Sequence, residues 1–264
     1  MYIQSVNPDL NISHLVKEYY YFSNHEVSSK FVPIIDDCCY DFIFFKEANT
    51  ILEYGVNKKQ IRISKKIFTI HNLTPPYKIK FENSLTFFTI KLQPWAKNYF
   101  FSFIEEPGVI DLEYLDNEFT QFYDGIFTIE SIDKKFKLAD QLMSKKSIVL
   151  NEVSFFIREI CEYIYVEKGI VTVEDISEKF QKSRQYINKL FKQNVGYTLK
   201  KFITTARILD LVKFKIKQQD ISLVTLCYQY NYFDQSHFIK DFKQVCGVAP
   251  RAFFNDLPKF LQRH

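Results

Sequence analysis

The sequence predicts an α+β fold: a small β-barrel with trailing helices, followed by an all-helical domain built from two copies of one unit. Three observations predict it. Short runs rich in β-branched and aromatic residues fill the stretch from Ser5 to about Gln93. Helical periodicity takes over after Pro94. The pattern Phe-Lys-Gln-x-x-Gly occurs twice near the C-terminus, at Phe191, Lys192, Gln193, Gly196 and again at Phe242, Lys243, Gln244, Gly247. With 264 residues, 47% of them hydrophobic, the chain is long enough for two cored domains, placed at 1–146 and 147–264.

The expected strands are Asp41 to Lys46, Thr50 to Tyr54, Gln60 to Ile63, Phe68 to His71, Tyr77 to Phe81 and Leu85 to Leu92, with Gly55, Asn57, Pro75 and Pro76 as turn formers between them. Strands this short and evenly spaced suggest a barrel or sandwich. Period-two alternation puts Tyr77, Ile79, Phe81 and Phe88, Ile90, Leu92 toward an interior. The aromatic crowd of Tyr19 to Phe22, Phe42, Phe44, Phe45, Phe87 and Phe88 reads as core or as the wall of a small ligand pocket, since a narrow barrel can hold either. Helices are expected over Trp95 to Ile104, Asn117 to Thr128 and Ser131 to Met143, with a loop at Pro107 and Gly108 and a joint at Lys145, Lys146 and Ser147. Helix Asn151 to Glu167 opens the second domain, with Val153, Phe156, Ile157, Ile160 and Ile164 at helical spacing.

The repeat extends back from each Phe. Ile187 matches Phe238, Lys189 matches Lys240 and Ser183 matches Asp234, each pair 51 residues apart. Both series thus begin on a helix-capping residue. Ahead of them lie Val173, Ile176, Phe180 and Leu223, Leu226, Tyr230, now 50 residues apart, so the second turn carries one extra residue. Two short helices joined by a tight turn, twice over, read as tandem helix-turn-helix units, a device that lays one helix in a DNA major groove. Between the units, Thr198 to Lys217 carries Phe202, Ala206, Leu209, Val212 and Ile216 along one side. Such a helix is about 30 Å long, close to the roughly 34 Å turn of B-DNA, so one chain can reach two successive groove segments.

The net charge is only +4, but from Lys168 to Arg251 basic residues outnumber acidic ones while the remainder sums negative. That places the basic surface on the repeat. No run of eighteen apolar residues exists and Met1 to Asp9 has no signal-like pattern, so a cytoplasmic location and no membrane contact are expected. Five cysteines with no C-x-x-C pair argue against a disulfide framework or a zinc site, and the adjacent Cys38 and Cys39 are the pair to weigh for redox sensing. His14, His25 and His71 form no metal-ligand spacing and read as surface or hydrogen-bonded residues. No metal, cofactor or enzymatic activity is expected.

From about Val171 to Phe254 the chain resembles the AraC/XylS family of transcription regulators. The resemblance rests on Ser183, Leu190-Phe191-Lys192, Gly196, Arg207, Asp234-Gln235-Ser236-His237-Phe238, Phe242-Lys243, Gly247 and Pro250. Asn231-Tyr232 stands where the family usually has Gly-Phe, Ser177 and Cys227 replace Ala, and Lys189 and Lys240 replace the commoner Arg. Asn tolerates the left-handed turn conformation, and Lys favours phosphate over bidentate guanine contact. The resemblance implies a cupin-like sensor domain before the DNA-binding domain, double-stranded DNA as partner, and RNA polymerase as a further partner of an activator. It admits a small-molecule effector in the N-terminal domain and a homodimer, for which the apolar faces between Asn117 and Met143 are candidates. The other reading is a constitutive regulator whose N-terminal domain is only a protein interaction platform. An enzyme fused to a DNA-binding module would need a catalytic constellation that the sequence lacks.

The candidate DNA-binding residues are Ser183, Arg184, Gln185, Asn188 and Lys189 in the first unit and Gln235, Ser236, His237 and Lys240 in the second. Ser183 and Asp234 are the expected caps. Gln185, Asn188 and Gln235 suit adenine edges, Arg184 and Lys189 suit guanine or phosphate, and Ser236, His237 and Lys240 suit the backbone. Tyr186, Ile187, Leu190 and Phe191 are expected toward the core or its boundary. Arg207 is expected to tie the bridging helix to Glu174 or Asp175, or to touch phosphate.

Overall fold

The computed structural model describes residues 2–25, 30–47, 50–81, 84–115, 117–146 and 148–257. The joint residue Ser147, and with it the boundary between 146 and 147, lies outside the described residues. Ten strands come first: β1 (Tyr2–Val6), β2 (Val16–Asn24), β3 (Val32–Ile34), β4 (Asp41–Phe45), β5 (Thr50–Tyr54), β6 (Lys59–Ile63), β7 (Ile67–His71), β8 (Tyr77–Phe81), β9 (Leu85–Leu92) and, after a helical turn, β10 (Gly108–Asp111). They form two antiparallel sheets rather than a closed barrel. The larger runs β1-β2-β9-β4-β7-β10 and the smaller runs β3-β8-β5-β6.

Of the expected barrel or sandwich, the structure has the two facing sheets of the latter, and it has two interiors because the larger sheet is buried on both faces. Tyr20, Phe22, Phe45 and Phe68 point to the smaller sheet, where they meet Leu52, Tyr77, Ile79 and Phe81. Tyr19, Phe42, Phe44, Phe88, Ile90 and Leu92 point the other way, onto helices α2 (Asn117–Thr128) and α3 (Ile132–Ser144) through Phe119, Phe122, Ile126, Phe136 and Leu142. The two alternating series found in the sequence are both buried, but on opposite sides of a three-layer domain. The stretch after Pro94 is shorter than expected, a 3-10 turn Pro94–Ala96 and then α1 (Lys97–Phe101), and the expected loop at Gly108 is the start of β10. Of the histidines, His71 is the hydrogen-bonded alternative: it is wholly buried and its ring accepts from the Asn72 side chain. Burial, then the nearby Lys97, pushes its pKa down to about 4.

The helical part begins with α4 (Glu152–Val166), capped by Asn151. The first unit is α5 (Val173–Phe180) and α6 (Arg184–Val195), the bridge is α7 (Leu199–Lys217), and the second unit is α8 (Leu223–Gln229) and α9 (Gln235–Cys246), closed by α10 (Pro250–Asn255). Each unit has its own core. Leu199, Phe202, Ile203 and Ala206 of α7 pack with Ile176, Ile187 and Phe191, whereas Ile208, Leu211 and Val212 pack with Leu226, Phe238 and Phe242. The bridge is therefore buried on several sides rather than along one stripe, and Leu209 instead lines a cavity shared with the strand domain.

Candidate nucleic-acid interface

Helix α6 starts where the Ser183 side chain accepts from the Tyr186 amide at 3.3 Å, and α9 starts where Asp234 accepts from the His237 amide at 2.7 Å. The turns before them need one residue in the left-handed region, supplied by Gln181 (φ 52°) and by Asn231 (φ 54°). Asn231 thus does the work expected of it, and Gln181, a residue with no special aptitude for that conformation, is its counterpart in the first unit. Ser177 donates from its hydroxyl to the Lys182 carbonyl at 2.7 Å and closes the first turn. Cys227, fully buried, packs in the core beneath the second.

The first turns of both helices are open to solvent. Ser183, Arg184, Gln185 and Lys189 are exposed in α6, and Gln235, Ser236, His237 and Lys240 are exposed in α9. Asn188 is half-buried, and its amide donates to the Arg184 carbonyl at 2.9 Å, so adenine reading by Asn188 requires that bond to open. Arg184 is held by Glu174 of α5 at 2.5 Å. His237 lies 3.6 Å from Asp241. Ile187 and Phe191 are buried as expected, but Tyr186 is 47% exposed and belongs to the outward face, because it sits a third of a turn from Ile187 on a helix with only one buried side. Arg207 does not reach Glu174 or Asp175. Its guanidinium donates to the Gly169 carbonyl at 2.7 Å and lies 5.3 Å from the Tyr232 ring, so it ties the α4–α5 loop to the second unit.

The opposite ends of both helices abut the strand domain. Gly196 caps α6 at φ 84°, and a methyl group there would stand 2.4 Å from the Tyr40 hydroxyl. Gly247 caps α9 at φ 77°, and its methyl would meet Pro76 at 3.1 Å. Asn98 of α1 adds amide bonds to Asn194 and to the Gln193 carbonyl, at 3.2 and 3.3 Å. With both C-terminal ends against one domain, both open N-terminal turns face away from it.

Residues 176–256 match the family model described as a helix-turn-helix domain. The chain carries an AraC/XylS-family helix-turn-helix domain. Over 81 residues it is 36% identical to the uncharacterized HTH-type transcriptional regulator YidL of Escherichia coli K12, a match that covers 31% of this chain and 27% of YidL. The HTH-type transcriptional activator AarP of Providencia stuartii is 23% identical over 93 residues, covering 33% of this chain and 68% of AarP. The chain thus matches only part of these relatives. The whole fold is similar to the crystal structure of ToxT from Vibrio cholerae O395, with a TM-score of 0.52 at 13% identity over 97% of this chain and 98% of that one. ToxT has also been solved bound to (E)-4-(8-methylnaphthalen-1-yl)but-3-enoic acid, a structure that matches this one with a TM-score of 0.50 at 13% identity, over 98% of this chain and all of that one.

Between the domains lies a cavity of about 220 Å³. Its walls are mostly apolar, with Phe22, Ile43, Phe45, Phe68 and Phe81 from the sheets and Leu209 and Val212 from α7, and its polar lining includes Asp36, Asp37, Asp41, Lys91 and Lys213. Lys91 bridges Asp37 at 3.0 Å and Asp41 at 3.3 Å. Burial alone would raise the Asp37 pKa, but Lys91 and Lys17 outweigh it and hold the carboxyl low. Asp36 accepts from the Tyr197 hydroxyl at 3.2 Å, which joins the wall of the cavity to the residue that follows Gly196. Burial, reinforced by Asp37, pushes the Cys39 thiol up to about 12, and Cys38 is fully buried with its thiol raised as well. Both thiols are thus held protonated more firmly than that of an ordinary cysteine, which disfavours the thiolate that oxidant sensing uses. Among the described residues no group of acidic, His and Cys side chains could hold a metal ion, and no helix is long and apolar enough to cross a membrane.

Proposed function

We propose that the chain is a sequence-specific DNA-binding transcription regulator, an activator, whose strand domain responds to a small apolar effector. The observation that carries this reading is the pair of solvent-open, polar first turns on α6 and α9, each held from behind by the same domain. Gln185, Asn188 and Gln235 read base edges in two successive major-groove segments of a site of about twenty base pairs, while Lys189, Ser236, His237 and Lys240 position the backbone. Selection from a random duplex pool followed by footprinting tests it. A preferred sequence should emerge, and Gln185→Ala with Asn188→Ala should shift the base preference in one half of the site. A preference unchanged by that double variant would remove base reading from α6.

The effector reading is supported by the cavity, whose body is apolar and whose charged end carries Lys91 and Lys213 beside three carboxylates. A single small, largely apolar ligand such as the butenoic acid held by ToxT fits such a site, its acidic head competing with Asp37 and Asp41 for Lys91. Thermal shift of the full chain with that acid and with its neutral amide separates the two. Stabilisation by the acid alone is expected.

A further inference from the structure

The second unit departs from the first at the residue just before the helix cap. In the register of the repeat Lys182 corresponds to Phe233, since the caps that follow are Ser183 and Asp234. Lys182 is exposed, as suits an ammonium beside a phosphate backbone. Phe233 is 91% exposed. That exposure is imposed by the fold on both sides. Before it, the Asn231 amide donates to the Tyr228 carbonyl at 3.1 Å, and the Tyr232 amide donates to the Cys227 carbonyl at 3.0 Å, with the Tyr232 ring buried. After it, Asp234 is in extended conformation and caps α9. An extended chain alternates its side chains, so Tyr232 turned inward puts Phe233 outward.

A phenylalanine at this position ordinarily staples the helix start by packing on the fourth helical residue, here Phe238. Tyr232 has taken that place, with its ring centroid 5.4 Å from those of Phe238 and of His237. Among the described residues Phe233 makes no ring contact. The fold therefore leaves a large apolar side chain without a packing role, beside Gln235 and Ser236, at the open first turn of α9. In the DNA-reading function above, the open first turn of α9 meets a major-groove edge, whose one apolar feature is the 5-methyl group of thymine.

We propose that Phe233 contacts a thymine methyl group at the edge of the groove segment entered by α9. This rests on the DNA-reading function above. It gives the second unit, which is short of base readers behind its acidic cap, a base-specific contact that needs no hydrogen bond.

The test uses the full chain and a duplex selected by it, with each thymine of the α9 half-site replaced in turn by uracil, which lacks only the methyl. One such replacement should weaken binding by the native chain about fourfold, the worth of one buried methyl group. Phe233→Ser should bind more weakly and lose that discrimination while keeping its salt slope, and Phe233→Leu should retain part of it. Equal uracil effects in native chain and Phe233→Ser, or undiminished binding by Phe233→Ser, would overturn the contact alone. Failure of the native chain to select any sequence would overturn the DNA-reading function and the contact together.

Discussion

In the proposed function Lys240 contributes affinity rather than specificity. It is exposed on α9, nearly two turns past the cap, where a flexible ammonium meets phosphate more readily than a base edge. Lys240→Ala should weaken binding to all sequences alike and make the salt dependence shallower by about one ion, measured as the slope of log affinity against log salt. A changed base preference would contradict the phosphate role. His71 governs a different property. Its ring accepts from the Asn72 side chain at 2.8 Å while the other ring nitrogen, buried, has no hydrogen-bond partner, so the folded chain holds it neutral. The unfolded chain takes up that proton near pH 6.5 and the folded chain only near 4. Stability from this residue is therefore complete above pH 6.5 and is lost as pH falls toward 4, by about 3 kcal/mol. His71→Gln should flatten that part of the stability curve in urea melts at stepped pH. The neutral, buried state was invisible in the sequence, because burial of β7 on both faces depends on helices far along the chain.

At the scale of elements, local chemistry made most of the fold legible. Thr50–Tyr54, Tyr77–Phe81 and Leu85–Leu92 have the bounds expected from alternation and turn formers, and the caps Asn151, Thr198, Ser183 and Asp234 stand where their side chains predict helix starts. What stayed hidden has physical reasons. β2 runs through four consecutive aromatics, Tyr19 to Phe22, and shows no period-two signal because both its faces are covered. β3 holds Pro33 and is tolerated only as the edge of its sheet. Left-handed Gln181 could not be foreseen, since its side chain has no special aptitude for that conformation. It carries a cost of about 1 kcal/mol that glycine would not. Gln181→Gly should raise the melting temperature, and Asn231→Gly should raise it less. Gly169 is the reverse case. At φ 68°, a methyl there would lie 2.4 Å from the Arg207 amide nitrogen of α7, so Gly169→Ala should destabilise by more than about 2 kcal/mol in denaturant titration, since neither backbone can yield.

For the molecule as a whole, the question is what keeps the two open helix starts, of α6 and α9, in one relative position. The bridge α7 has 19 residues, hence about 28 Å, and it is shared between the two helical cores. Its middle also forms the cavity wall through Leu209, Val212 and Lys213, so a ligand there touches the strut directly. The strand domain supplies a second hold, at Tyr40 and Asn98 on the end of α6 and at Pro76 on the end of α9. In the proposed function the two sites would exchange free energy reciprocally: whatever a cavity ligand did to DNA affinity, DNA would do to ligand affinity. Tyr40 and Asn98 do not line the cavity and lie at the far end of α6 from its open turn. Tyr40→Phe with Asn98→Ala should therefore leave ligand binding to the free protein nearly intact while loosening the hold on α6. Hydrogen exchange should quicken in the last turn of α6. The ratio of DNA affinities measured with and without ligand should move toward one. If the ratio is unchanged while exchange quickens, the coupling runs through α7 alone, and substitutions at Leu209 and Val212 become the ones that control it.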